Sequence, residues 1–534
     1  MRTLAYHKYN QFQLYTEHTF AFPRHPAIGA DAGALTPDDI LALDAICRAH
    51  HVDLVPNLQS LGHQRALLNL PQYEHLAETT WKWSLATADD ETFRFLDELY
   101  GDLLPAFSSR FFNVDADEPW DMGRGRSRAL TEEVGVGRVY LHHIKRLHEL
   151  VTKHGRQMMM WADVFWHHPD LVGELPEDVV LLDWWYERKD HHDTVDVIAN
   201  AGRRFYVCPG TSSWSSLFPR LDNAIANIRT YVRDGVATGA EGMLLTDWGD
   251  NGHYQQLSGS WYPYLWGAEC AWTGGTTESE HFDAAFGRLF LGDGSGAQVA
   301  ALRRLGSAMQ TAPGWWRSWN SALALFEEPL TGDLVRFTSE QDTARARDAA
   351  LAIFPLLGQI RDPGLRHDLG FTAAQIVFAS DKLETTRVVR TLLVDLAANP
   401  GPTDQGRGRL DALVATMRRQ RETLLAMAAE FERRWLAHAR PSQIGVTLDR
   451  FAGLIARYDA AIAWLEAQRA AYLDGRGVDA TLATYDDAGY AVLYHASMRD
   501  IRDLADVVGP ENLPPDVRGW LEAADAEAAE ARPA

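Results

Sequence analysis

The chain has 534 residues, of which 46% are hydrophobic and 23% charged, and its formal net charge at pH 7 is -22. This composition is typical of a globular protein, and the length suffices for roughly two to four domains with sizeable cores. Nucleic acids and anionic membrane surfaces would repel such a charge, so the composition argues against both as partners.

The sequence predicts neither a membrane span nor a secretory signal. No run of about 18 consecutive apolar residues occurs, and the opening residues, MRTLAYHKYNQFQLY, lack the apolar core of a signal peptide. The three cysteines, Cys47, Cys208 and Cys270, are widely spaced and suit a reducing compartment. For the chain as given we therefore expect a cytoplasmic location.

Seven short β-type runs alternate with helical patterns over the first 275 residues. One helix is predicted over residues 36–51, where Thr36 is the N-cap and Pro37 occupies the first helical position. A second is predicted over residues 138–154. The β-type runs cover residues 12–16, 52–56, 111–114, 157–161, 179–183, 203–207 and 242–246.

This alternation predicts βαβ units and a parallel sheet. Polar, acidic and aromatic residues follow the strands, which favours a (β/α)8 TIM-type barrel, because that fold builds its active site at the carboxyl ends of its strands. A doubly wound open sheet is the alternative. Such a sheet usually has a glycine-rich phosphate loop after its first strand, whereas the segment found here is TEHTF.

After about residue 300 the β-type runs give way to long helical patterns rich in Ala, Leu, Arg and Glu. We therefore predict two domains, a barrel over residues 1–300 and an α-helical bundle over residues 301–534. The predicted helices cover residues 340–360, 372–397, 408–439, 447–473 and 485–508.

The segment FFNVDADEPWDMGRGRS, residues 111–127, carries the strongest chemical signal. The neighbouring carboxyl groups of Asp117 and Glu118 follow a predicted strand. Because two adjacent carboxylates cannot both ionise freely, the pKa of one rises, as a general acid requires. A solvated acidic turn is the alternative interpretation. Asp115 lies within the end of the strand and is expected to face the barrel interior or make a structural hydrogen bond.

Tryptophan is unusually frequent, with 18 residues in the chain, nine of them between Trp161 and Trp272. Flat indole rings that stack on sugars are a common reason for such enrichment, although core packing explains single tryptophans equally well.

An ordered set of motifs resembles glycoside hydrolase family 20, the β-N-acetylhexosaminidases, over roughly residues 5–275. NVDADE followed by WDMGRGRS is most similar to the hexosaminidase D-type branch. The motifs are LYTEHTF (14–20), VPNLQSLGH (55–63), NVDADE (113–118), MWAD (160–163), DWWYE (183–187) and TDWGD (246–250). The resemblance implies a retaining exo-glycosidase that hydrolyses terminal β-linked N-acetylhexosamine, with a carbohydrate as partner.

The resemblance also implies roles for individual residues. Glu118 would be the general acid and then the base, and Asp117 would hold the 2-acetamido group whose carbonyl oxygen attacks the anomeric carbon. His63 would tune the acid, with a helix-capping or structural histidine as the alternative, and Glu17 would support His63 or the sugar. Asp250 is similar to an acidic residue that binds sugar hydroxyls, with a turn cap as the alternative.

Three tryptophans, Trp161, Trp185 and Trp248, match rings that wall the sugar pocket in this family, with core packing as the alternative for each. We predict no metal and no cofactor, because the histidine pairs at residues 167–168 and 191–192 have no partners at a ligand spacing.

Two departures from the family pattern leave alternatives open. The predicted barrel lacks its first strand, which carries a sugar-binding arginine in the family. The family's acetamido-binding tyrosine has no clear match: Thr211 and Ser212 stand in its place, and Tyr186 or Tyr254 could substitute. The alternatives are a glycosidase for a sugar without an acetamido group, and a non-catalytic carbohydrate-binding protein. The sequence does not indicate whether the protein forms oligomers.

Overall fold

The structure, a computed structural model, describes residues 1–250, 252–309, 321–330, 332 and 334–481, together with residues 505, 509 and 518. The predicted helix over residues 485–508 falls, except for residue 505, outside the described residues.

All seven predicted strands are present and run parallel in chain order. Two strands form one ladder and five form another. A parallel bridge between Asn57 and Asn113 joins the two ladders into one curved sheet. The strands are β1 (Gln11–Gln13), β2 (Asp53–Val55), β3 (Phe111–Asn113), β4 (Gln157–Trp161), β5 (Val180–Trp184), β6 (Arg204–Cys208) and β7 (Gly242–Met243).

Helices connect successive strands, as in a (β/α) barrel. The predicted cap of α2 is confirmed, since the Thr36 side chain accepts a hydrogen bond from the Asp39 amide at 3.1 Å. The helices of this region are α1 (Arg2–Tyr6), α2 (Pro37–Ala49), α3 (Arg65–Leu68), α4 (Asp90–Leu103), α5 (Arg128–Val134), α6 (Val136–Lys153), α7 (Asp163–His167), α8 (Thr194–Asn200), α9 (Leu221–Thr238), α10 (Trp261–Thr273) and α11 (Ser279–Ala285).

Two apolar layers hold the barrel together. Side chains of one strand face pack against the surrounding helices, and those of the other face fill the interior, where Met159, Trp161 and Leu182 are buried. Because side chains alternate along a strand, Trp161 at the end of β4 faces the interior just below the loops.

The second part of the chain is helical, as predicted. Helix α16 begins at Pro363, earlier than expected, because the Asp362 side chain accepts a hydrogen bond from the Leu365 amide at 2.7 Å and caps it. The helices are α12 (Ala297–Ala308), α13 (Ser321–Phe326), α14 (Leu334–Phe337), α15 (Glu340–Leu351), α16 (Pro363–Ala398), α17 (Asp404–His438) and α18 (Ile444–Leu473).

The predicted fold class, a TIM-type barrel followed by a helical region, is therefore confirmed. Helix α12 crosses the border predicted at residue 300, so the division into two domains stays a prediction. Of the helices that the structure describes, none is both long enough and apolar enough to cross a membrane.

Candidate active site

The loop after β3 adopts a backbone conformation that side chains disfavour. Asp115, Ala116 and Glu118 have φ angles of 56°, 67° and 46°, in the left-handed region. Hydrogen bonds from neighbouring elements hold this conformation: the Tyr140 hydroxyl donates to the Ala116 carbonyl at 3.0 Å, and the Asp115 amide donates to the Asn113 side chain at 3.0 Å. Such strain is concentrated at functional sites in proteins.

Asp115 anchors this loop from inside the barrel. Its Oδ1 accepts hydrogen bonds from Trp161 Nε1 at 2.7 Å and from Asn57 Nδ2 at 3.0 Å. Burial, followed by the nearby charge of Asp117, raises the pKa of the Asp115 carboxyl well above its usual value. The expected interior position of this residue is confirmed.

The Glu118 backbone is fixed at both of its polar groups. Its amide donates to Asp163 Oδ2 at 3.0 Å, and its carbonyl accepts from Trp83 Nε1 at 2.7 Å. Burial and the charge of Asp117 raise the pKa of the Asp163 carboxyl well above its usual value. Our sequence interpretation assigned no site role to Asp163 or Trp83, because their contacts with Glu118 form only in the folded chain.

A glycine allows the loop after β2 to approach this pair closely. A methyl group on Gly62 would collide with the backbone oxygen of Asp117 and would lie 3.3 Å from that of Glu118. The next residue, His63, also has a left-handed φ, of 56°, and its side chain lies beside the two carboxylates. Gly62 therefore permits the contact between the loops.

His63 lies between the two predicted catalytic carboxylates. Its Nε2 atom is 3.4 Å from Asp117 Oδ2 and 3.4 Å from Glu118 Oε2, while Nδ1 is 3.9 Å from Glu17 Oε1. Burial by itself would lower the pKa of His63, but the two carboxylates outweigh it and raise that pKa well above its usual value. We infer a charged imidazolium that offsets the adjacent negative charges.

A chain of hydrogen bonds orients Asp117. Gln59 Nε2 donates to Asp117 Oδ1 at 2.6 Å and to the Tyr15 hydroxyl at 3.1 Å, and that hydroxyl donates to Glu17 Oε1 at 3.1 Å. Gln59 lies within the motif VPNLQSLGH, but its residue type alone gave no indication of this role. The predicted residue Glu17 is thus connected to Asp117 through two side chains.

Exposure divides the carboxylates of this cluster into two groups. The side chains of Asp117 and Glu118 are 14% and 22% exposed, and that of Glu17 is 33% exposed. Asp115 and Asp163 are buried. A ligand in the barrel mouth can therefore reach the first group, whereas the second group supports the loop from below.

The loop after β7 contributes a second wall. The Trp248 ring lies 4.9 Å from the Tyr15 ring and nearly perpendicular to it, and 6.3 Å from the Trp161 ring. Asp250 is exposed and close enough to interact electrostatically with Glu118. The structure therefore brings Trp161, Trp248 and Asp250 to the same end of the barrel as Asp117 and Glu118.

Trp185 is the predicted site residue that the structure does not bring into this cluster. Its ring packs toward the helices, with Lys189 Nζ 3.9 Å from the ring centre. Trp184 faces the interior instead and stacks on Tyr186, with ring centres 4.9 Å apart. Strand β5 extends to Trp184, so alternation along the strand directs Trp184 inward and Trp185 outward.

Three groups of the site have the spacing of metal ligands. One ligand atom each from His63, Asp117 and Glu118 lies within 4.8 Å of the other two. Imidazole and carboxylate groups bind zinc and related ions, so these residues could hold a metal ion. They are the same residues that the sequence assigns to acid–base chemistry and substrate binding.

The fold and the site together define a class of protein, (β/α) barrels that gather paired carboxylates and aromatic rings at the carboxyl ends of their strands, as glycosidases do. The sequence model of the glycosyl hydrolase family 20 catalytic domain matches residues 2–289, more than half of the chain. The chain therefore belongs to glycosyl hydrolase family 20.

Several solved structures are similar to part of this chain. The β-N-acetylhexosaminidase of Bacteroides fragilis is 18% identical, with a TM-score of 0.43 over 54% of this chain and 65% of that protein. The corresponding Streptomyces coelicolor enzyme is 17% identical, with a TM-score of 0.40 over 58% and 66%. The chitobiase of Flavobacterium johnsoniae is 14% identical, with a TM-score of 0.44 over 78% and 72%.

The matched part of this chain spans less than two thirds of the Bacteroides and Streptomyces proteins. No curated protein matches the sequence.

Proposed function

We propose that this chain is a retaining exo-glycosidase that releases terminal β-linked N-acetylhexosamine, either N-acetylglucosamine or N-acetylgalactosamine, by substrate-assisted catalysis. The observation that carries the proposal is the arrangement of Asp117 and Glu118. The two carboxylates are adjacent in sequence and share His63, yet separate contacts hold each of them. Such a pair can address two different atoms of one sugar.

Glu118 supplies the proton transfer in this proposal. Its carboxyl group protonates the glycosidic oxygen as the bond from that oxygen to the anomeric carbon breaks, while the acetamido carbonyl oxygen bonds to that carbon. Glu118, now a carboxylate, then accepts a proton from water as the water oxygen attacks the anomeric carbon and the ring formed by the acetamido group opens. The two inversions give net retention.

Asp117 holds the acetamido group during this sequence. Its carboxylate accepts a hydrogen bond from the acetamido nitrogen and so increases the electron density on the attacking carbonyl oxygen. The 2.6 Å hydrogen bond from Gln59 supports this role, because it fixes one carboxylate oxygen and leaves the other facing His63 and the barrel mouth.

Tyr186 is our candidate for the tyrosine that binds the acetamido oxygen. Its hydroxyl accepts a hydrogen bond from Trp248 Nε1 at 2.9 Å, and its pKa is sensitive to the charge of Asp117. Burial raises the pKa of this phenol well above its usual value, so the group keeps the proton that it would donate to the carbonyl oxygen.

The other candidates for this role are engaged elsewhere. The Thr211 hydroxyl donates to Asp247 Oδ1 at 2.7 Å, and Ser212 Oγ accepts from Asn223 Nδ2 at 2.8 Å. Tyr254 is buried against the helical region. These contacts support the choice of Tyr186.

The test is hydrolysis of the p-nitrophenyl glycosides of N-acetylglucosamine and N-acetylgalactosamine. We expect release of p-nitrophenol, and a loss of about a thousandfold in kcat in the Glu118→Gln variant. Glu132→Gln is the matched control, because Glu132 is an exposed carboxylate on α5. Equal turnover by the Glu118→Gln variant and the wild type would contradict the assignment.

An inhibitor separates the remaining alternatives. A thiazoline that mimics the cyclic intermediate should bind competitively, because Asp117 and Tyr186 would hold its ring. An active enzyme that this compound does not inhibit would indicate a glycosidase for sugars without an acetamido group. Sugar binding without turnover of any glycoside would indicate a carbohydrate-binding protein.

A further inference from the structure

The two edge strands of the barrel carry the two loops that border one side of the site. In the described part of the chain, β1 and β7 each pair with one neighbouring strand and not with each other. The loop after β1 carries Glu17, and the loop after β7 carries Trp248 and Asp250. The strand ladder therefore does not fix the distance between these loops.

On the β7 side, the helical region anchors the loop through Tyr254. This residue is buried, and its ring lies 4.8 Å from Phe326 of α13 and 6.4 Å from Phe431 of α17. Arg450 of α18 donates a hydrogen bond to the Tyr254 hydroxyl, and its guanidinium lies 5.7 Å from the centre of that ring. Three helices thus contact one side chain of this loop.

Tyr254 follows Asp250 by four residues in the sequence, and Gly252, which lies between them, contacts the Tyr254 ring. The Gly252 amide donates to the Gly249 carbonyl at 3.1 Å. A methyl group on Gly252 would lie 2.6 Å from the Tyr254 hydroxyl, so the turn packs directly on the phenol that Arg450 holds. A displacement of Tyr254 therefore moves the turn that carries Asp250.

On the β1 side, the connection between α17 and α18 holds the other loop. Arg440 donates hydrogen bonds to the carbonyls of Ala34 at 2.8 Å and Gly33 at 3.2 Å, and its guanidinium lies 2.8 Å from the Asp39 carboxylate. Gln443 Nε2 donates to the Asp31 carbonyl at 2.9 Å. A side chain on Gly33 would collide with the segment between the two helices.

This contact is also close to a residue of the site. The Leu35 amide donates to the Thr19 carbonyl at 2.8 Å, and Ala21 donates to the Leu35 carbonyl at 2.9 Å. The segment that Arg440 holds is therefore hydrogen-bonded to the chain two residues beyond Glu17.

We propose that the α17–α18 hairpin is a clamp that sets the spacing of the two edge loops, with Arg450 and Arg440 as positioning residues for sugar binding. The proposal rests on the proposed function, because the sugar is what Glu17 and Asp250 would bind. The Tyr15 and Trp248 rings already touch across the open side of the sheet, and the clamp adds a restraint on each loop where no strand hydrogen bonds join them.

Amide hydrogen exchange tests the clamp without any activity measurement. In the Arg450→Met variant we expect peptides covering residues 246–258 to exchange about tenfold faster, because the charged hydrogen bond to Tyr254 is lost. Arg469→Met is the matched control, since Arg469 also lies on α18 but pairs with Asp411 of α17. Unchanged exchange in the Arg450→Met variant, or equal changes in both variants, would overturn the proposal.

Kinetics then test the effect on sugar binding. Arg450→Met, Arg440→Met and Tyr254→Phe should each raise KM about fivefold to tenfold with kcat nearly unchanged, because the chemistry at Glu118 is held separately. Arg450→Lys should recover part of the loss, and Arg450→Met with Tyr254→Phe should be no worse than the more impaired single variant. A fall in kcat at constant KM, or additive effects, would overturn the proposal. A wild type without glycosidase activity would contradict the proposed function alone, and the exchange result would still decide the clamp.

Discussion

The loops after β3 and β7 border the same site but are held in different ways. The β3 loop, which carries Asp117 and Glu118, receives its restraints from residues of the barrel, including Tyr140, Trp161 and Asp163. The β7 loop, which carries Asp250, packs through Tyr254 against three helices of the C-terminal region. The groups proposed for bond cleavage thus depend on the barrel, and a group proposed for sugar binding depends on a separate region.

Bond cleavage and sugar binding tolerate movement of the loops to different extents. Proton transfer and attack at the anomeric carbon require atoms placed within a fraction of an ångström, which a strained loop fixed by buried hydrogen bonds provides. Binding of sugar hydroxyls tolerates a loop on a neighbouring region, whose displacement weakens affinity more than it slows the chemical step. Variants of the β3 loop should accordingly lower kcat, whereas variants of the clamp should raise KM.

Among variants that change the restraints on the β3 loop without changing Asp117 or Glu118, the largest effect is expected from Gly62→Ala. The added methyl group collides with the backbone oxygen of Asp117, so the β2 and β3 loops must separate and His63 must leave the two carboxylates. We expect kcat to fall by about a hundredfold or more, as measured with the p-nitrophenyl glycosides.

Gly173→Ala is the control for this prediction, because no atom lies within 4 Å of the position that its methyl group would occupy. Circular dichroism should show that both variants are folded. A folded Gly62→Ala variant with the kcat of the wild type would show that the approach of the two loops does not matter for the chemistry.

A smaller effect is expected from Gln59→Met, which removes the donor to Asp117 at nearly constant volume. Asp117 then loses its 2.6 Å hydrogen bond, and its carboxylate is free to rotate away from the acetamido group. We expect kcat to fall about tenfold to thirtyfold, since a hydrogen bond to a charged group is lost. The thiazoline inhibitor should weaken in parallel, and an unchanged inhibition constant would remove Gln59 from the acetamido site.

Local patterns in the sequence predict the main elements of this fold. Each of the seven β-type runs is a strand, and the Thr36–Pro37 cap starts α2 at the expected residue. The first residue of α16 was missed because the capping contact of Asp362 begins the helix before its apolar pattern becomes regular. Periodicity thus identifies an element more reliably than its ends.

The site was predictable only where residue type and strand position coincide. Asp117, Glu118 and His63 follow strands and carry chemistry, so the ordered motifs identify them, and the structure brings them together. Gln59 and Trp83 act through space on residues far away in the sequence, which no local pattern encodes. For Trp185 the prediction chose the wrong one of two neighbouring tryptophans. Successive side chains along a strand face opposite sides, and it is Trp184 that faces the interior.

A cluster of three indole rings beside Glu118, those of Trp81, Trp83 and Trp120, offers a finer test of the restraints within the barrel. The Trp83 ring centre lies 5.0 Å from those of Trp81 and Trp120, which lie 6.0 Å from each other. The Glu118 carbonyl accepts a hydrogen bond from the Trp120 backbone amide at 2.8 Å, and the Trp83 indole nitrogen also donates to it. Trp83→Phe should lower kcat about fivefold through loss of this hydrogen bond. Trp81→Phe is the matched control, because the Trp81 indole nitrogen has no hydrogen-bond partner among the described residues. Equal losses in both variants would assign the effect to stacking alone.

The pH dependence of stability, rather than activity, should also separate the two regions. The pKa of His63 in the folded protein lies well above its unfolded value, so its stabilising contribution is complete below the unfolded pKa and is lost as pH rises through the folded pKa. The difference in free energy of unfolding between the wild type and His63→Asn, measured in urea, should therefore be smaller at about pH 9 than at about pH 5.5, with a total loss of roughly 1.4 kcal/mol for each unit of pKa shift once the pH has passed the folded pKa. The guanidinium of Arg450 stays charged over this range, so the stability lost in Arg450→Met should be the same at both pH values. If instead the His63→Asn difference were constant, the pKa of His63 would be the same in the folded and unfolded protein, and the carboxylates of Asp117 and Glu118 would not stabilise a positive charge between them.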